Sequence, residues 1–345
     1  MKLEQYQSFK EKARWFDKHF VVNSVTEVEL LFNELDTKNN ANSFYRGSSN
    51  AKYKLYNSAQ RLWITNELNN VFHDYSSFIK KLVGNFKENN SVSKFFNKFS
   101  IPLTDIPLLA FMQHYGSPTP LLDLSYNPWV ALFFAIENIS YTESKGLDNF
   151  FSFYVIQNYD FISLQTEYRK FAGKIKNIDF EKYGRKIDKT ELNKATEQII
   201  QDLTTLDHFK NGPPEIITDN IENFRYYTDS NFNIINQEGM FVYNPYSVTP
   251  LEKSFHMYLL LQATKPKDEK IPLSLAEFRL NEGMDLILSN PNIKAGNYMT
   301  CYDIHKSLIG KLLKELENRK ITTEFVYPNP IKMVNEALKK TLEQI

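Results

Sequence analysis

The chain has 345 residues, of which 42% are hydrophobic and 24% charged, the proportions of a soluble globular protein rather than a disordered one. Its 41 lysines and arginines balance 41 aspartates and glutamates, which excludes a global positive field for nucleic acid but leaves a local basic cleft open. The single cysteine, Cys301, excludes an internal disulfide, and no run of about 18 apolar residues is present. These features predict a cytoplasmic protein without a membrane span, with one large elaborated domain favoured over two.

The N-terminal part of the chain is predicted to be mainly helical. Apolar residues recur at three- and four-residue steps from 3 to 20, the spacing of one helix face. A second helix is predicted from Ser24, where Glu27 completes a capping box. Residues 43–45 predict a short strand that runs into a turn at 46–48, and residues 60–100 predict further helices.

A polar stretch from Gln113 to Ser125 lies between two capped helices. The helix before it is predicted to be capped by Asp105 and to end at Gly116, and the helix after it begins at Asn127-Pro128. Loops that carry short polar side chains between rigid elements are typical of functional sites. We therefore predict that this stretch is a loop forming part of a site.

The second half of the chain mixes strand-like and charged segments. Residues 150–156 predict a buried strand, and residues of about 160–230 predict a charged, mostly helical insertion. Strand-like runs return at 233–243 and 255–261, then at Ile271 with a helix after Ser274, and amphipathic helices are predicted at 303–318 and 330–343. The sequence thus predicts N-terminal helices in residues 1–42, a main domain over 43–330 and a C-terminal helix over 331–345.

Several motifs follow one another in a fixed order. Phe44-Tyr45-Arg46-Gly47 comes first, and a pattern of Leu55, Ser58 and Arg61 follows. The longest motif is Q-H-Y-G-x-P-T-x-L-L-D over residues 113–123, continued by N-P-x-x-A-L-x-F-A over 127–135. A Q-x-G-x-F motif lies at 237–241, and helical residues 312–316 precede Val326-Tyr327-Pro328. On these motifs the chain resembles the FRG domain family.

The resemblance implies both a fold and an activity. The family is similar to ADP-ribosyltransferases and occurs in bacterial toxin and phage-defence settings. This implies an α+β fold with an ADP-ribosyltransferase-like split β-sheet core, NAD+ as co-substrate, and RNA, DNA or protein as the acceptor. A neutralising antitoxin protein is a further implied partner, and the 160–230 segment is the predicted contact for acceptor or antitoxin. The chain departs from the family at Pro120, where an arginine is usual, at Leu124, where an aromatic is usual, and at the inserted Tyr45.

The resemblance also implies roles for individual residues. Transfer of ADP-ribose passes through an oxocarbenium-like transition state, which an anion stabilises. The ADP-ribosyltransferase order of basic residue, serine-bearing strand and glutamate would be Arg46, residues 119–125 and Glu238. Arg46 would hold the pyrophosphate, and Glu238 or Asp123 would be the anion. The other predicted cofactor contacts are Gly47, His114, Tyr115, Thr119, Ser125 and Gln237.

Structural explanations compete with several of these roles. His114 could be a helix-end histidine favoured by the helix dipole, Tyr115 could fill the core, and Asp123 could bind ribose or cap the following helix. Because neighbouring strand residues point to opposite faces, Asp123 or Gln237 would replace Glu238 if Glu238 faces solvent.

Other chemistries find no support in the sequence. It contains no zinc-ligand spacing and no P-loop or Rossmann fingerprint, so no metal site is predicted. A non-catalytic module that binds a nucleotide or a partner protein in the same cleft stays an alternative. NAD+ hydrolysis without an acceptor is another.

Overall fold

The structure is a computed structural model that describes residues 2–37, 43–99, 101–139, 143–157, 162–163, 168–169, 189–210, 212–218, 220–221, 224–225, 232–264 and 298–329, with single residues at 332, 335 and 339. Over these residues the protein is α+β and is built on one mixed β-sheet. No helix in this described part is long and apolar enough to cross a membrane.

Eight strands form the main sheet in the order β1-β10-β4-β2-β3-β9-β6-β5. Their bounds are β1 Lys18–Val22, β2 Ser43–Ser48, β3 Leu121–Ser125, β4 Phe150–Gln157, β5 Ile162–Ser163, β6 Glu215–Ile217, β9 Gly239–Tyr243 and β10 Met299–His305. A separate pair consists of β7 Asn220–Ile221 and β8 Phe224–Arg225. The β1–β10 and β5–β6 pairs are parallel, and the other pairs of the main sheet are antiparallel.

The described helices pack around this sheet. Their bounds are α1 Phe9–Ala13, α2 Val25–Thr37, α3 Ser58–Thr65, α4 Tyr75–Lys87, α5 Asn90–Lys98, α6 Asp105–His114, α7 Pro128–Ile136, α8 Lys189–Leu203, α9 Leu206–Phe209, α10 Phe232–Gln237, α11 Leu251–Thr264, α12 Ile309–Asn318 and α13 Thr323–Val326. Apolar side chains from α2, α7 and α12 share one core cluster with residues of β2, β4 and β10. Side chains from α3 to α6 share another with residues of β3 and β9.

The sheet divides between β2 and β3. β2 pairs with β4 along its whole length, but it pairs with β3 only where Tyr45 meets Ser125. β3 in turn pairs with β9 along its whole length. Beyond the Tyr45–Ser125 pair the two halves of the sheet diverge, and the candidate site described below lies at this division.

Several predicted elements are confirmed. α2 follows the capping box, with the Glu27 carboxylate accepting a hydrogen bond from the Ser24 amide at 2.9 Å. α7 begins at Pro128 with Asn127 as its cap, and Asn127 Oδ1 accepts from the Trp129 amide at 3.0 Å. β4 covers the predicted buried strand, and α3, α4 and α5 occupy the predicted helical region.

Other predictions are wrong, mainly where strand pairing overrides a local pattern. Residues 18–20 belong to β1 rather than to a helix, and residues 303–305 belong to β10. The predicted turn at 46–48 continues β2, and the predicted loop contains strand β3. Residues 233–237 and 255–261 are helical, in α10 and α11.

The predicted 160–230 insertion is only partly described. Its helix α8 places Ile200 and Leu203 in a core cluster, and its strand β6 pairs with β9 inside the main sheet. The later part of this segment is therefore integral to the fold rather than an added unit. The predictions at Ile271 and after Ser274 lie outside the described ranges, and so does the predicted helix over 330–343 apart from the single residues 332, 335 and 339.

Candidate functional site

A cleft of about 520 Å³ opens where β2 and β3 diverge. This volume lies within the usual range for small-molecule sites. Residues of β2, β3, β9, α3, α6, α7 and α10 line it, together with Tyr327. The cleft thus gathers residues from most of the sequence motifs.

Arg46, on β2, is one of the residues that line the cleft. Its strand neighbours Tyr45 and Gly47 contact α7, so the Arg46 side chain projects from the opposite face of β2. The guanidinium crosses the gap between the strands, where Nη1 donates a hydrogen bond to the main-chain carbonyl of Asp123. Its Nε atom is buried without a hydrogen-bond partner. Burial lowers the pKa of Arg46, while the Asp123 carboxylate acts to raise it.

Arg61, on α3, supplies a second guanidinium to the same cleft. Its Nε donates to the Asn57 carbonyl at 3.4 Å. Burial lowers the pKa of Arg61, and the nearby Asp123 carboxylate opposes this shift. Two guanidinium groups in one cleft favour an anion with several oxygen acceptors, such as a phosphate ester.

Asp123 is the only carboxylate among the described residues that line the cleft. Its side chain is exposed, and Oδ2 accepts a hydrogen bond from Gln113 Nε2 at 3.0 Å. Gln113 is itself oriented, because its carbonyl oxygen accepts from the Thr119 hydroxyl. Thr119 is in turn fixed by Ser58, whose hydroxyl accepts from the Thr119 amide at 2.9 Å. A relay of hydrogen bonds therefore holds the carboxylate in place.

His114 forms part of the cleft wall at the end of α6. Its ring meets Phe241 edge to face, with centroids 5.9 Å apart. The Nε2 atom is buried and has no hydrogen-bond partner. Burial lowers the pKa of His114 below its ordinary value, against a smaller opposing effect from Asp123, so the ring is neutral at pH 7.

A hydrogen bond between Ser125 and Gln237 connects the motif region at 113–135 with the motif at 237–241. The Ser125 hydroxyl donates to the Gln237 carbonyl at 2.7 Å, and the Gln237 side-chain amide donates to the Val326 carbonyl at 3.1 Å. Both residues line the cleft. The Ser125 hydroxyl and the Gln237 side-chain nitrogen are thus engaged within the protein, which gives both residues a part in shaping the cleft.

The structure corrects the prediction for Glu238. This residue is exposed, is not part of the cleft lining, and has a positive φ of 47° at the turn between α10 and β9. Its carboxylate accepts from the Asn127 side-chain amide at 3.0 Å. Glu238 therefore lies outside the described lining of the cleft, in which Asp123 is the one carboxylate.

Of three other predicted cofactor contacts, Tyr115, Thr119 and Gly47, only Gly47 lines the cleft. Tyr115 is 69% exposed and packs on Phe111 outside the cleft lining, with centroids 4.5 Å apart. Thr119 is fully buried and acts through Gln113. Gly47 lines the cleft with its backbone, but a side chain there would meet the Ala135 amide nitrogen at 2.6 Å. Gly47 is therefore required by the close approach of α7.

Sequence reasoning missed two residues that the structure brings into the cleft. Gln113 is the first residue of the longest motif, and Arg61 ends the Leu-Ser-Arg pattern. Both therefore belonged to a motif but had no predicted role. For Arg61 this is because only the fold shows that α3 lies beside β3.

A buried cluster elsewhere contains the one group of potential metal ligands found among the described residues, His19, Cys301 and Asp303. The Lys12 ammonium already binds one member of this cluster, Asp303. It lies 2.5 Å from Asp303 Oδ1, 2.7 Å from the Ser152 hydroxyl and 2.9 Å from the Ala51 carbonyl. With all three of its hydrogens accepted, this lysine supplies the positive charge that a metal ion would otherwise bring.

The fold and the cleft define an α+β protein with a basic, ligand-sized site at the division of one sheet. The family model of the FRG domain matches residues 41–144. The chain therefore contains an FRG domain, which begins just before β2 and includes Arg46, Arg61, Gln113, His114 and Asp123. No curated protein and no solved structure matches the chain.

Proposed function

We propose that the cleft binds NAD+ and that the protein transfers the ADP-ribosyl group to a macromolecule. One observation carries this proposal: Arg46 Nε and His114 Nε2 are both buried, both lack a partner and both line the same cleft. Leaving a polar atom buried and unpaired costs about 1–3 kcal/mol. A polar ligand that pairs with both atoms removes this cost.

The charges of the cleft suit the two ends of NAD+. Arg46 and Arg61 match the pyrophosphate, which offers several anionic oxygens to guanidinium donors. The ADP-ribosyltransferase resemblance implies a split β-sheet core, and the division of the sheet between β2 and β3 supports this part of the proposal. The cleft is also large enough for a substantial part of a dinucleotide.

Asp123 provides the anion that the reaction needs. As the bond between ribose C1′ and the nicotinamide nitrogen breaks, positive charge develops on the ribose and nicotinamide leaves as a neutral molecule. A nucleophilic oxygen or nitrogen of the acceptor then bonds to C1′ and releases its proton to water. The Asp123 carboxylate, held through Oδ2 by Gln113, stabilises the developing charge.

The test is nicotinamide release from NAD+ by the purified chain. We expect Arg46→Ala to weaken NAD+ binding by about 10- to 100-fold, the effect of losing charge-assisted hydrogen bonds. Asp123→Asn should lower the turnover rate by about 100-fold or more with little effect on binding. Asp207→Asn, at an exposed aspartate bonded to Lys80, is the matched control and should retain full turnover.

Glu238→Gln separates the two candidate carboxylates. Turnover retained in Glu238→Gln and lost in Asp123→Asn supports the assignment to Asp123, and the reverse pattern contradicts it. Labelled NAD+ in a cell lysate, followed by nuclease or protease treatment, shows whether the acceptor is nucleic acid or protein. An essential macromolecule as acceptor would support the proposed toxin or phage-defence role and the proposed antitoxin partner.

A binding module without chemistry is the second candidate function. Two observations favour it: Glu238 is not part of the cleft lining, and Pro120 occupies the position where the family usually has arginine. NAD+ binding without nicotinamide release, unaffected by Asp123→Asn, would establish the module. Release without any labelled macromolecule would instead establish NAD+ hydrolysis.

A further inference from the structure

We infer that a strip of aromatic rings beside the cleft binds single-stranded nucleic acid. Phe99, Phe95, Phe111 and Tyr115 follow one another with ring centroids 4.8, 5.1 and 4.5 Å apart. We call these four residues the aromatic strip. The strip begins at the end of α5 and ends at Tyr115, directly after His114 in the cleft wall.

The exposure of the strip distinguishes it from ordinary core packing. Tyr115 is 69% exposed and Phe99 is 51% exposed, while Phe95 and Phe111 between them are half-buried. Single exposed apolar residues are common on protein surfaces, but a contiguous series of rings in mutual contact is not. Rings that present a face to solvent are the groups on which unpaired bases stack.

The charge around the strip fits a polyanion. Residues 75–99, which form α4 and α5, contain five lysines and a single acidic residue, Glu88. All five lysines are exposed, and one of them, Lys80, pairs with Asp207. Within the described part of the chain no ion pair involves Lys87, Lys94 or Lys98. A local excess of lysine in a chain of zero net charge provides the basic surface that a phosphate backbone requires.

Rings and lysines together favour a single strand over a duplex. Bases within a duplex are stacked on each other and cannot stack on protein side chains, whereas an unpaired strand offers both base faces and phosphates. RNA and DNA share this chemistry. A strand lying on the aromatic strip has nucleotides next to the cleft. If the proposed function is correct, single-stranded nucleic acid is therefore the acceptor of ADP-ribose. Only the identity of the acceptor rests on the proposed function.

The test is the anisotropy of fluorescein-labelled 20-nucleotide oligo(U) and oligo(dT), with a 20-base-pair duplex as the third probe, titrated with the full chain at several salt concentrations. We expect both single strands to bind more tightly than the duplex, with affinity falling as salt rises. Tyr115→Ala and Phe99→Ala should each weaken binding by about 5- to 100-fold. Lys94→Gln with Lys98→Gln should reduce the salt slope by about 2.

Matched controls come from outside the strip. Phe20→Ala removes another partly exposed ring, which stacks on Tyr302, and Lys10→Gln with Lys18→Gln removes two exposed lysines. These variants should bind like the wild type. Circular dichroism and thermal melting of each variant exclude unfolding as the cause of any loss.

Three outcomes would overturn the inference: no binding of either strand at low salt, equal or tighter binding of the duplex, or strip variants that bind like the controls. Failure of the proposed function gives a different result. If the cleft does not bind NAD+, nicotinamide release is absent while strand binding and its loss in Phe99→Ala persist. If the strip is not a binding surface, Phe99→Ala changes neither strand binding nor NAD+ binding.

Discussion

Gly47 shows how helix packing and the site depend on the same strand residue. It lies between Arg46 and Ser48 on β2, and α7 approaches so closely that an added Cβ would contact the Ala131 carbonyl, the Ala135 amide nitrogen and the Ala135 Cβ. Two of these three atoms belong to the backbone of α7, which cannot move without repacking the helix. The glycine therefore fixes the distance between α7 and the strand that carries Arg46.

We predict that Gly47→Ala destabilises the protein by about 3 kcal/mol, the upper part of the usual range for overpacking, because backbone rather than a flexible side chain must yield. Urea unfolding at pH 7 measures the change. Gly84→Ala is the matched control, since Gly84 lies within α4 and its added Cβ meets nothing within 4 Å. The control should gain about 0.5–1 kcal/mol from helix propensity. A stability of Gly47→Ala equal to that of the wild type would contradict the packing argument.

At the level of elements, local signals predicted some of the structure and missed the rest. The capping box before α2 and the Asn127-Pro128 start of α7 are contained in a few neighbouring residues, so the sequence alone was sufficient. β1 and β10 were missed because their pairing partners are distant in sequence: β1 pairs with β10, and β10 also pairs with β4. α11 was misassigned because a short apolar run fits a strand and a buried helix equally well.

The same limit applies to the candidate site. The motifs identified Arg46, His114 and Asp123, which line one cleft. They could not show that Tyr115 and Glu238 lie outside its lining, because these residues lie at the end of α6 and in the turn after α10, whose positions depend on the whole fold. Arg61 required knowledge that α3 packs beside β3, which no local pattern contains.

The buried Lys12 cluster joins the N-terminal elements to the sheet. Lys12, on α1, bonds to Asp303 on β10 and to Ser152 on β4, and His19 on β1 lies 2.7 Å from the second Asp303 oxygen. Burial acts to raise the pKa of Asp303, but Lys12 and His19 outweigh it and hold this pKa below the ordinary value. Asp303 is therefore ionised, and removal of Lys12 would leave its charge poorly compensated.

We predict that Lys12→Met destabilises the protein by about 3–5 kcal/mol, the usual cost of breaking a buried ion pair by removing one partner. Urea unfolding at pH 7 measures the change. The double variant Lys12→Met with Asp303→Leu removes both charges and should recover part of the loss, since no unpaired carboxylate remains. Lys311→Gln, which removes an exposed partner of Glu29, is the control and should cost less than about 1 kcal/mol. A double variant no more stable than Lys12→Met would contradict the role given to the unpaired charge.

For the molecule as a whole, the N-terminal segment, α11 and β10 meet around one histidine. His256, on α11, bonds through Nδ1 to the Tyr298 hydroxyl at 2.7 Å, and its ring meets Trp15 edge to face. Tyr298 donates its hydroxyl hydrogen to the Trp15 carbonyl, so the His256 ring must be the donor to Tyr298. Burial lowers the pKa of His256 to about 4, and the ring is neutral in the folded protein near pH 7.

This low pKa predicts how stability depends on pH. Above about pH 6.5 the histidine is neutral in both states, and its contribution is fully present. As the pH falls from 6.5 towards 4, the histidine binds a proton in the unfolded chain but stays neutral in the folded protein. The free energy of unfolding therefore falls by about 2–3 kcal/mol by pH 4.5.

Urea unfolding of the wild type and His256→Gln at pH 7 and pH 4.5 tests this, because carboxylate titration is common to both proteins and cancels in the comparison. His256→Gln should be less stable at pH 7, since it loses the ring contact with Trp15, but should lose about 2–3 kcal/mol less than the wild type on acidification. His73→Gln, at a histidine with a 92% exposed side chain, is the control for removal of a histidine that is not buried. An equal loss of stability on acidification in the wild type and His256→Gln would mean that the pKa of His256 in the folded protein is not lowered.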